Sequence, residues 1–304
     1  MNRSLKPLRD IFITARHELA DAVRSRQAAV VLILYMGAAL LACNGFITAL
    51  HRIEIQLSKT LGLPPTSTPG TVMNTLWKSD SFRRMIRNLV GSREILEQLM
   101  SVHPMALVYG WLVFLFTPVL VMLTASPRIS GELGSGSIKF ALIRTSRIAW
   151  CLGKFIGQSL ITIVALATGG FIAWCLMRLR LAGMDGFSVA QGMIVYSWKA
   201  WIYSLSFLGL ALGISQITRS PHKATAIGFA VWAGVGVLGF VSSHCTAEPW
   251  INVCQAVQML APMGHKLDLW RTDLPHQLQA AAFLTGLAFA YMFAGYTFLA
   301  RKDL

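Results

Sequence analysis

Long apolar blocks alternate with short polar and basic segments along the 304 residues of this chain. A helix needs about 20 apolar residues to cross the hydrocarbon core of a bilayer. Stretches of about that length that are free of Asp, Glu, Lys and Arg therefore predict spanning helices. There are six: 27–50, 104–127, 155–177, 200–218, 224–243 and 277–300. We expect an all-α membrane protein whose single transmembrane domain covers residues 1–304.

The fourth of these spans is the least clear, because Lys199 interrupts a longer apolar run that begins at Gly186. Trp198, Trp201 and Tyr203 surround this lysine in the sequence. Aromatic side chains concentrate at the membrane–water interface, and a lysine there extends its charge into water. We therefore place Lys199 at an interface and start the span after it.

The distribution of lysine and arginine predicts the orientation, since short cytoplasmic loops carry an excess of both. With a cytoplasmic N-terminus, the inner segments hold 15 of the 27 basic residues and the outer segments hold 12. Seven of those 12 lie in the long segment 51–103, which carries less weight in this rule. We expect both termini to lie in the cytoplasm.

The N-terminal segment 1–26 predicts a helix over Leu8–Arg26 that lies in the headgroup plane, called the elbow helix below. Its apolar residues recur every four positions, and its charged residues cover the other side. The apolar positions are Ile11, Ala15, Leu19 and Val23, and the charged ones include Arg9, Arg16, Glu18, Asp21 and Arg24. The alternative is a solvated basic leader.

Composition excludes several classes of function. Only 13% of residues are charged, against about 25% in soluble domains. The net charge of +14 is spread among loops, which suits contact with anionic lipid and not nucleic-acid binding. The six apolar windows contain no Asp or Glu, which disfavours an ion-coupled carrier or an intramembrane enzyme. No G-x-x-x-x-G-K-[ST] motif is present, so nucleotide binding of that kind is not expected.

Two outer segments are longer than simple connections require. The first, 51–103, has a turn-rich middle and an amphipathic second half that predicts a helix over Ser81–Val102. That helix either packs on the ends of the spans or forms a docking surface for a periplasmic partner. The second, 243–276, contains two short apolar runs that Pro262 and Gly264 interrupt.

The segment 127–154 joins the second and third spans with a polar, basic, glycine-bearing run, PRISGELGSGSIKFALIRTSRIAWCLGK. It resembles the segment after the second transmembrane helix of ABC-2-type permeases, whose pattern is roughly I-S-G-E-x-x-x-G-T, a basic turn and L-G-K. Leu133 and Ser137 depart from that pattern. The residues that match it are Ile129, Ser130, Gly131, Glu132, Gly136, Arg147, Leu152, Gly153 and Lys154.

Two shorter matches add to this resemblance. The run TARHELADAVRSRQ is similar to the opening of many ABC-2 permeases, and Ser215, Ser220 and Ala224 fit the turn between their fourth and fifth spans. The resemblance implies a permease subunit that pairs with a second copy of itself and with a separate ABC ATPase, which would hold ATP and Mg²⁺. It also implies a location in the inner membrane of a bacterium, and short helices in 243–276 that re-enter the outer leaflet.

Within 127–154 the resemblance implies a cytoplasmic coupling helix docked on the ATPase. The polar start, the apolar stripe and the two flanking spans predict this helix over Ser130–Ile143, with Glu132 in its first turn, where an acid is favoured. We expect either simple helix capping by Glu132 or contact with a basic group of the ATPase. The candidate coupling residues are Ser130, Gly131, Glu132, Gly136, Ile138, Arg144 and Arg147.

Two functions remain open from the sequence. The first is a homodimeric permease that exports an apolar or amphiphilic substrate. The second is a subunit that transmits ATPase-driven motion to a periplasmic partner, as in systems that mature metal cofactors.

The sequence also predicts a disulfide between Cys245 and Cys254, because both lie in a segment expected to face an oxidising compartment. Pro249 suits the first turn of a helix, so Cys245 can fold back from the preceding loop onto Cys254. Two buried thiols are the alternative. No catalytic residues or metal site are expected in this chain.

Overall fold

The computed structural model describes residues 6–24, 26–60, 84, 93–100, 102–181, 185–243 and 251–302, and the regular structure within these ranges is helical. A 3₁₀ turn, Pro262–His265, accompanies the α-helices. The α-helices are α1 (Lys6–Arg24), α2 (Arg26–Thr60), α3 (Arg93–Met100), α4 (Pro104–Ser135), α5 (Ile138–Arg144), α6 (Arg147–Arg180), α7 (Gly186–Ile217), α8 (Pro221–Ser243), α9 (Ile251–Leu260), α10 (Lys266–Trp270) and α11 (Leu274–Ala300).

Six helices in the described ranges are long and apolar enough to cross a membrane, which confirms the prediction of an all-α protein with six spans. These spans are Ala29–Gln56, Pro104–Ser135, Arg147–Arg180, Gly186–Ile217, Pro221–Ser242 and Leu274–Ala300. Side chains define several starts: His103 accepts from the Met105 amide, Ser146 from Ala149 and Asp185 from Phe187. Such caps satisfy amide groups that have no partner inside a helix.

The fourth span, α7, is the centre of the bundle and is longer than predicted. It begins at Gly186 instead of position 200, so Lys199 lies inside the helix and is only 6% exposed. The predicted start of this span after Lys199 and the predicted extension of the lysine charge into water are therefore wrong. The sequence rule failed because it assumed that a lysine needs water, whereas this one is hydrogen-bonded within the protein.

The helices α4, α6, α8 and α11 pack around α7. The interface between α7 and α11 is tightest at glycines, which have no side-chain bulk. A Cβ atom on Gly209 would lie 2.1 Å from the Ala288 carbonyl oxygen, and one on Gly295 would lie 2.3 Å from that of Gly213. Small residues thus let two backbones touch. In contrast, a Cβ atom on Gly234 of α8 would have no described neighbour within 4 Å. The small-residue face of α8 is therefore open in a single chain.

Four chain segments meet at one end of the bundle, called the α1 end below: α1, the 127–154 segment, the turn between α7 and α8, and the residues after α11. Lys302 donates to the carbonyl oxygens of Gln216 and Ile217, each at 2.9 Å. Arg128 on α4 pairs with Asp21 on α1 at 3.0 Å. The predicted inner segments therefore share one end, while the side of the membrane that this end faces stays a prediction.

At the opposite end, the described part of the 51–103 segment is helical and packed. The first ten positions of the predicted loop continue α2 as far as Thr60, and α3 occupies part of the predicted helix. Leu99 on α3 is 3% exposed, while Gln98 accepts from the Thr272 amide and donates to Asp273. Of the predicted helix over Ser81–Val102, the positions 81–83, 85–92 and 101 lie outside the described residues.

The 251–273 region folds back alongside the spans. Trp270 packs edge-on against Phe114 and Tyr196, and Lys199 donates to the Arg271 carbonyl oxygen at 2.9 Å. Lys199 lies about 20 Å along α7 from its start, at 1.5 Å per residue, so this region reaches well down the bundle. Cys254 lies on α9, whereas Cys245 and Pro249 fall in 244–250, outside the described residues. The disulfide therefore stays a prediction.

Candidate coupling site at the α1 end

The polar 127–154 segment consists of two helix ends and a short helix between them. The single helix predicted over Ser130–Ile143 is wrong, because α4 continues to Ser135 and the chain then turns at Gly136 with φ +74°. That left-handed conformation strains residues with a Cβ atom, so a glycine at this position lets α4 end. The short helix α5 follows, and α6 starts again at Arg147.

One of the other two glycines of the ISGELGSG motif, Gly134, lets α4 approach the turn between α7 and α8. A Cβ atom on Gly134 would lie 2.3 Å from the Arg219 carbonyl oxygen, and one on Gly131 would lie 3.7 Å from the Pro221 ring. Ser130, the motif serine, donates its amide to the Ser215 hydroxyl oxygen at 2.8 Å. The motif therefore fixes the end of the second span against the end of the fourth.

A cluster of five charged side chains, called the Lys154 cluster below, joins three helices at this end. Lys154 on α6 forms ion pairs with Glu18 on α1 and with Glu132 on α4. Arg128 on α4 lies 3.7 Å from Glu18 and 3.0 Å from Asp21. The side chains of Glu18 and Lys154 are 1% and 5% exposed, so their ion pair is almost completely removed from solvent.

The Glu18 carboxylate is satisfied on both oxygens. Gln158 donates to one of them at 2.6 Å, and Lys154 donates to the other. Burial by itself raises the pKa of Glu18, but the charge and hydrogen bond of Lys154, with help from Arg128 and Gln158, outweigh it and hold that pKa below its usual range. Glu18 is therefore ionised at neutral pH despite its burial.

Two glycines on α6 allow α1 to come close enough for this pairing. A Cβ atom on Gly153 would lie 2.4 Å from Cβ of Thr14, and one on Gly157 would lie 2.7 Å from Cβ of Glu18. The backbone of α1 thus lies directly on α6, at the two residues that immediately precede Lys154 and Gln158. This contact explains why Glu18, predicted as part of the polar face of an elbow helix, is buried.

Glu132 lies in the last turns of α4 and not in the first turn of a coupling helix, so the helix-capping role predicted for it is wrong. A carboxylate near a helix C-terminus faces the negative end of the helix dipole, which is unfavourable. The ion pair with Lys154 offsets this cost and leaves the Glu132 side chain 30% exposed. The contact that the structure gives Glu132 is thus with a basic group of its own chain.

The remaining candidate residues are distributed around the Lys154 cluster. Arg147 donates to the Ala300 carbonyl oxygen at 2.8 Å and to Leu299 at 3.3 Å, so it caps the C-terminus of α11. Ile138 is buried at 1% exposure and anchors α5, whereas Arg144 on α5 is exposed. On α1, Arg16 and Arg24 are exposed and lie outside the cluster.

The exposed face of α5 is apolar. Phe140 and Ile143 are 76% and 78% exposed, three residues apart on the same side of the helix, next to the exposed Lys139 and Arg144. An open cleft of about 540 Å³ lies beside them, lined by Lys139, Leu142, Ile143, Thr145, Ser146 and Arg147. Exposed apolar side chains outside the spans are typical of protein interaction sites.

Sequence reasoning missed Lys154, Arg128, Gln158 and Ser215 as members of this site. Lys154 was matched only as part of the L-G-K run, and its partner Glu18 lies 136 residues earlier. A usable signal existed in the pattern G-K-x-x-G-Q, which places glycines, a lysine and an amide on adjoining positions of one helix. Among the described residues, no group of three or more His, Cys, Asp or Glu could hold a metal ion.

These features define a multi-pass helical membrane protein whose polar end presents a short, exposed helix between its second and third spans. The model of the ABC-2 family transporter proteins matches residues 12–248, and the chain belongs to that family. Members of the family are membrane subunits and not the ATP-binding ones, and they work with an ATPase subunit. No curated protein matches the chain significantly.

Proposed function

We propose that the chain is the permease subunit of a bacterial inner-membrane exporter, acting as a homodimer with two copies of an ABC ATPase. The ATPase would bind at the α1 end, through α5. The observation that carries this proposal is the pair Phe140 and Ile143, which expose apolar surface at the polar end of the bundle.

The Lys154 cluster gives α5 a path to the rest of the bundle. The short turn at Gly136 connects α5 to α4, so a movement of α5 would be transmitted to α4. Glu132 in the last turns of α4 is paired with Lys154. Lys154 is paired in turn with Glu18 on α1. Movement of α5 would therefore shift the ends of α4 and α6 and the elbow helix together. Salt bridges of this kind form a contiguous physical network between elements.

The homodimer is supported by the outward faces of α2 and α8. Most of α2 and α8 is unburied in a single chain. On α8, Ala226, Ala230 and Gly234 form an exposed face of small residues at four-residue spacing. Such faces pair closely with another helix in membranes. The absence of acids from the six apolar windows supports an apolar or amphiphilic substrate.

Docking is tested by co-purification of the ATPase with a Phe140→Glu/Ile143→Glu variant. Two charges on the exposed face of α5 should abolish co-purification without unfolding the chain, because neither side chain is buried. His222→Glu is the matched control, since it adds an acid at an exposed site on the neighbouring turn. If the double variant retains the ATPase as wild type does, α5 is not the docking element.

Coupling is tested with Glu132→Ala in the assembled complex. We expect the complex to form, because Lys154 keeps Glu18, while ATP hydrolysis no longer responds to the permease. Unchanged ATPase regulation would contradict the role of the cluster. The related hypothesis of a motion-transmitting subunit shares this end of the molecule, and a neighbouring gene for a secreted protein would favour it.

A further inference from the structure

A groove between α6 and α7 lies toward the end of the bundle opposite the Lys154 cluster. Its volume is about 430 Å³, within the range of small-molecule sites. Its floor includes Leu166 and Met193, which are 1% and 3% exposed. Phe171, Ile194 and Trp198 stand at its open side and are 64%, 70% and 57% exposed. The groove therefore opens sideways, between two spanning helices, toward the lipid.

Three of the four polar side chains that line the groove, all except Trp198 at its open side, are hydrogen-bonded to neighbouring residues. Ser197 shares a 2.7 Å hydrogen bond with Tyr109, Trp174 donates to the Gly186 carbonyl oxygen at 3.0 Å, and Trp201 donates to Ser159 at 2.9 Å. A polar ligand would find no free hydrogen-bond partner among these groups. The groove therefore suits an apolar portion of a ligand.

The length of the groove matches one leaflet of a bilayer. It extends from Ile163 to Trp174 on α6 and from Ala190 to Trp201 on α7, which is about 16 Å on each helix at 1.5 Å per residue. The hydrocarbon core of a bilayer is about 30 Å thick, so a single leaflet contributes about half of that. An acyl chain of the adjacent leaflet fits this depth.

A basic group stands one turn beyond the end of the groove. The Cδ atom of Arg178 would be 3.4 Å from a Cβ atom on Gly186, which places its side chain over the start of α7, next to Trp174. Arg178 and Arg180 are exposed, and neither forms an ion pair within the described part of the chain. The nearby Asp185 is engaged by the Phe187 amide and the Ser188 hydroxyl.

We propose that this groove is a binding site for an anionic glycerophospholipid of that leaflet. One acyl chain lies along Leu166, Met193 and the aromatic side chains at the opening. The headgroup phosphate lies at Arg178, with Arg180 adding positive charge. An apolar groove of one-leaflet depth that ends at a cation has the charge and shape of such a lipid.

The site is tested with phosphatidylglycerol that carries a photoactivatable diazirine in one acyl chain, added at trace level to the full-length protein in phosphatidylcholine nanodiscs. Mass spectrometry should find the label in peptides covering 163–174 and 190–201. Unlabelled phosphatidylglycerol should compete for this labelling, whereas phosphatidylcholine should not. Arg178→Gln should reduce labelling of these peptides about fivefold, as expected for one arginine at a lipid surface.

Ala167→Phe fills the groove and should remove the label from both peptides. The matched controls are Arg52→Gln, which removes an exposed arginine from α2, and Val237→Phe, which adds the same ring to an exposed position on α8. Both controls should label as wild type. Equal competition by phosphatidylcholine or wild-type labelling of Arg178→Gln would each overturn the proposal.

Discussion

Two buried lysines lie in spanning helices of this protein and are compensated in different ways. Lys154 and Lys199 are 4% and 6% exposed. Lys154 pairs with the carboxylates of Glu18 and Glu132, and its ammonium group also lies 5.7 Å from the centre of the Trp150 ring. Lys199 donates to the Arg271 carbonyl oxygen and lies 5.4 Å from the centre of the Tyr196 ring.

The difference teaches what each lysine holds in place. Lys154 neutralises charges that α1 and α4 bring to it, so its loss removes the closest cation from the buried Glu18 carboxylate and leaves it only Gln158 and the more distant Arg128. Among the described residues, Lys199 has no carboxylate partner, and its loss leaves only a carbonyl group to be satisfied. The first lysine is required by its neighbours, whereas the second merely links α7 to the folded-back region after α9.

Lys154→Met should give the largest effect. Removal of one partner from a buried ion pair costs about 3–5 kcal/mol, because the remaining charge stays buried. We expect a strongly lowered midpoint of thermal unfolding in detergent, together with faster proteolysis within α1.

The double variant Lys154→Met/Glu18→Met separates charge from packing. An apolar pair of similar volume often replaces a buried ion pair without loss, so stability should partly recover. A double variant as unstable as Lys154→Met alone would show that the lysine acts through packing and not through its charge.

Gly153→Val should have a smaller but clear effect on the same region. The added side chain collides with Thr14 and with the Ile11 carbonyl oxygen, which lies 2.9 Å from the position of the new Cβ atom. Overpacking of this kind costs about 1–3 kcal/mol and should push α1 away from α6. A disulfide between cysteines introduced at exposed positions of α1 and α6 should form more slowly. Gly286→Val, where no described atom lies within 4 Å, is the control.

Lys199→Met should cost only about 1 kcal/mol. It removes one hydrogen bond from a charged donor but also ends the burial of a charge without a carboxylate partner, and these two effects oppose each other. The midpoint of thermal unfolding should stay close to that of wild type. A loss as large as that of Lys154→Met would mean that the two lysines are equivalent, contrary to the comparison.

The stability that Glu18 contributes to the Lys154 cluster should depend on pH. Because the pKa of Glu18 is lowered in the folded protein, its contribution to stability is complete above the unfolded value, about 4.3, and is lost as the pH falls through the lowered one. The difference in unfolding midpoint between wild type and Glu18→Gln should thus stay constant from pH 8 to 5. It should shrink only in stronger acid. A difference that already declines near pH 6 would contradict the lowered pKa.

The number and approximate position of the spans could be predicted from the sequence, because hydropathy reports directly on the hydrocarbon core. The apolar windows missed the helix ends. Helix α4 continues beyond its window to Ser135, and α6 begins before its window, at Arg147. The windows also missed the start of α7, where a buried lysine resembled an interfacial one. Both errors come from the assumption that a polar residue must be in contact with water.

The candidate site was only partly predictable. The motif pointed to Glu132 and to the segment that carries α5, but the partner of Glu132 depends on where α6 places Lys154. On α1 the four-residue spacing suggested an apolar face that includes Val23. That pattern gave no sign that Glu18, on the same helix, is buried. A pattern within one helix could not show that its neighbour would supply glycines and a lysine.

The docking of α1 on α6 has a consequence for the order of events during synthesis. Glu18 leaves the ribosome 136 residues before Lys154. At about 5–20 residues per second, about 7–27 seconds pass before its partner has been made. During that interval α1 cannot dock on α6, and the Glu18 carboxylate must stay in contact with water. The N-terminal segment would therefore take its final position only after the third span has entered the membrane, so the first helix to be translated is placed later than helices that are made after it.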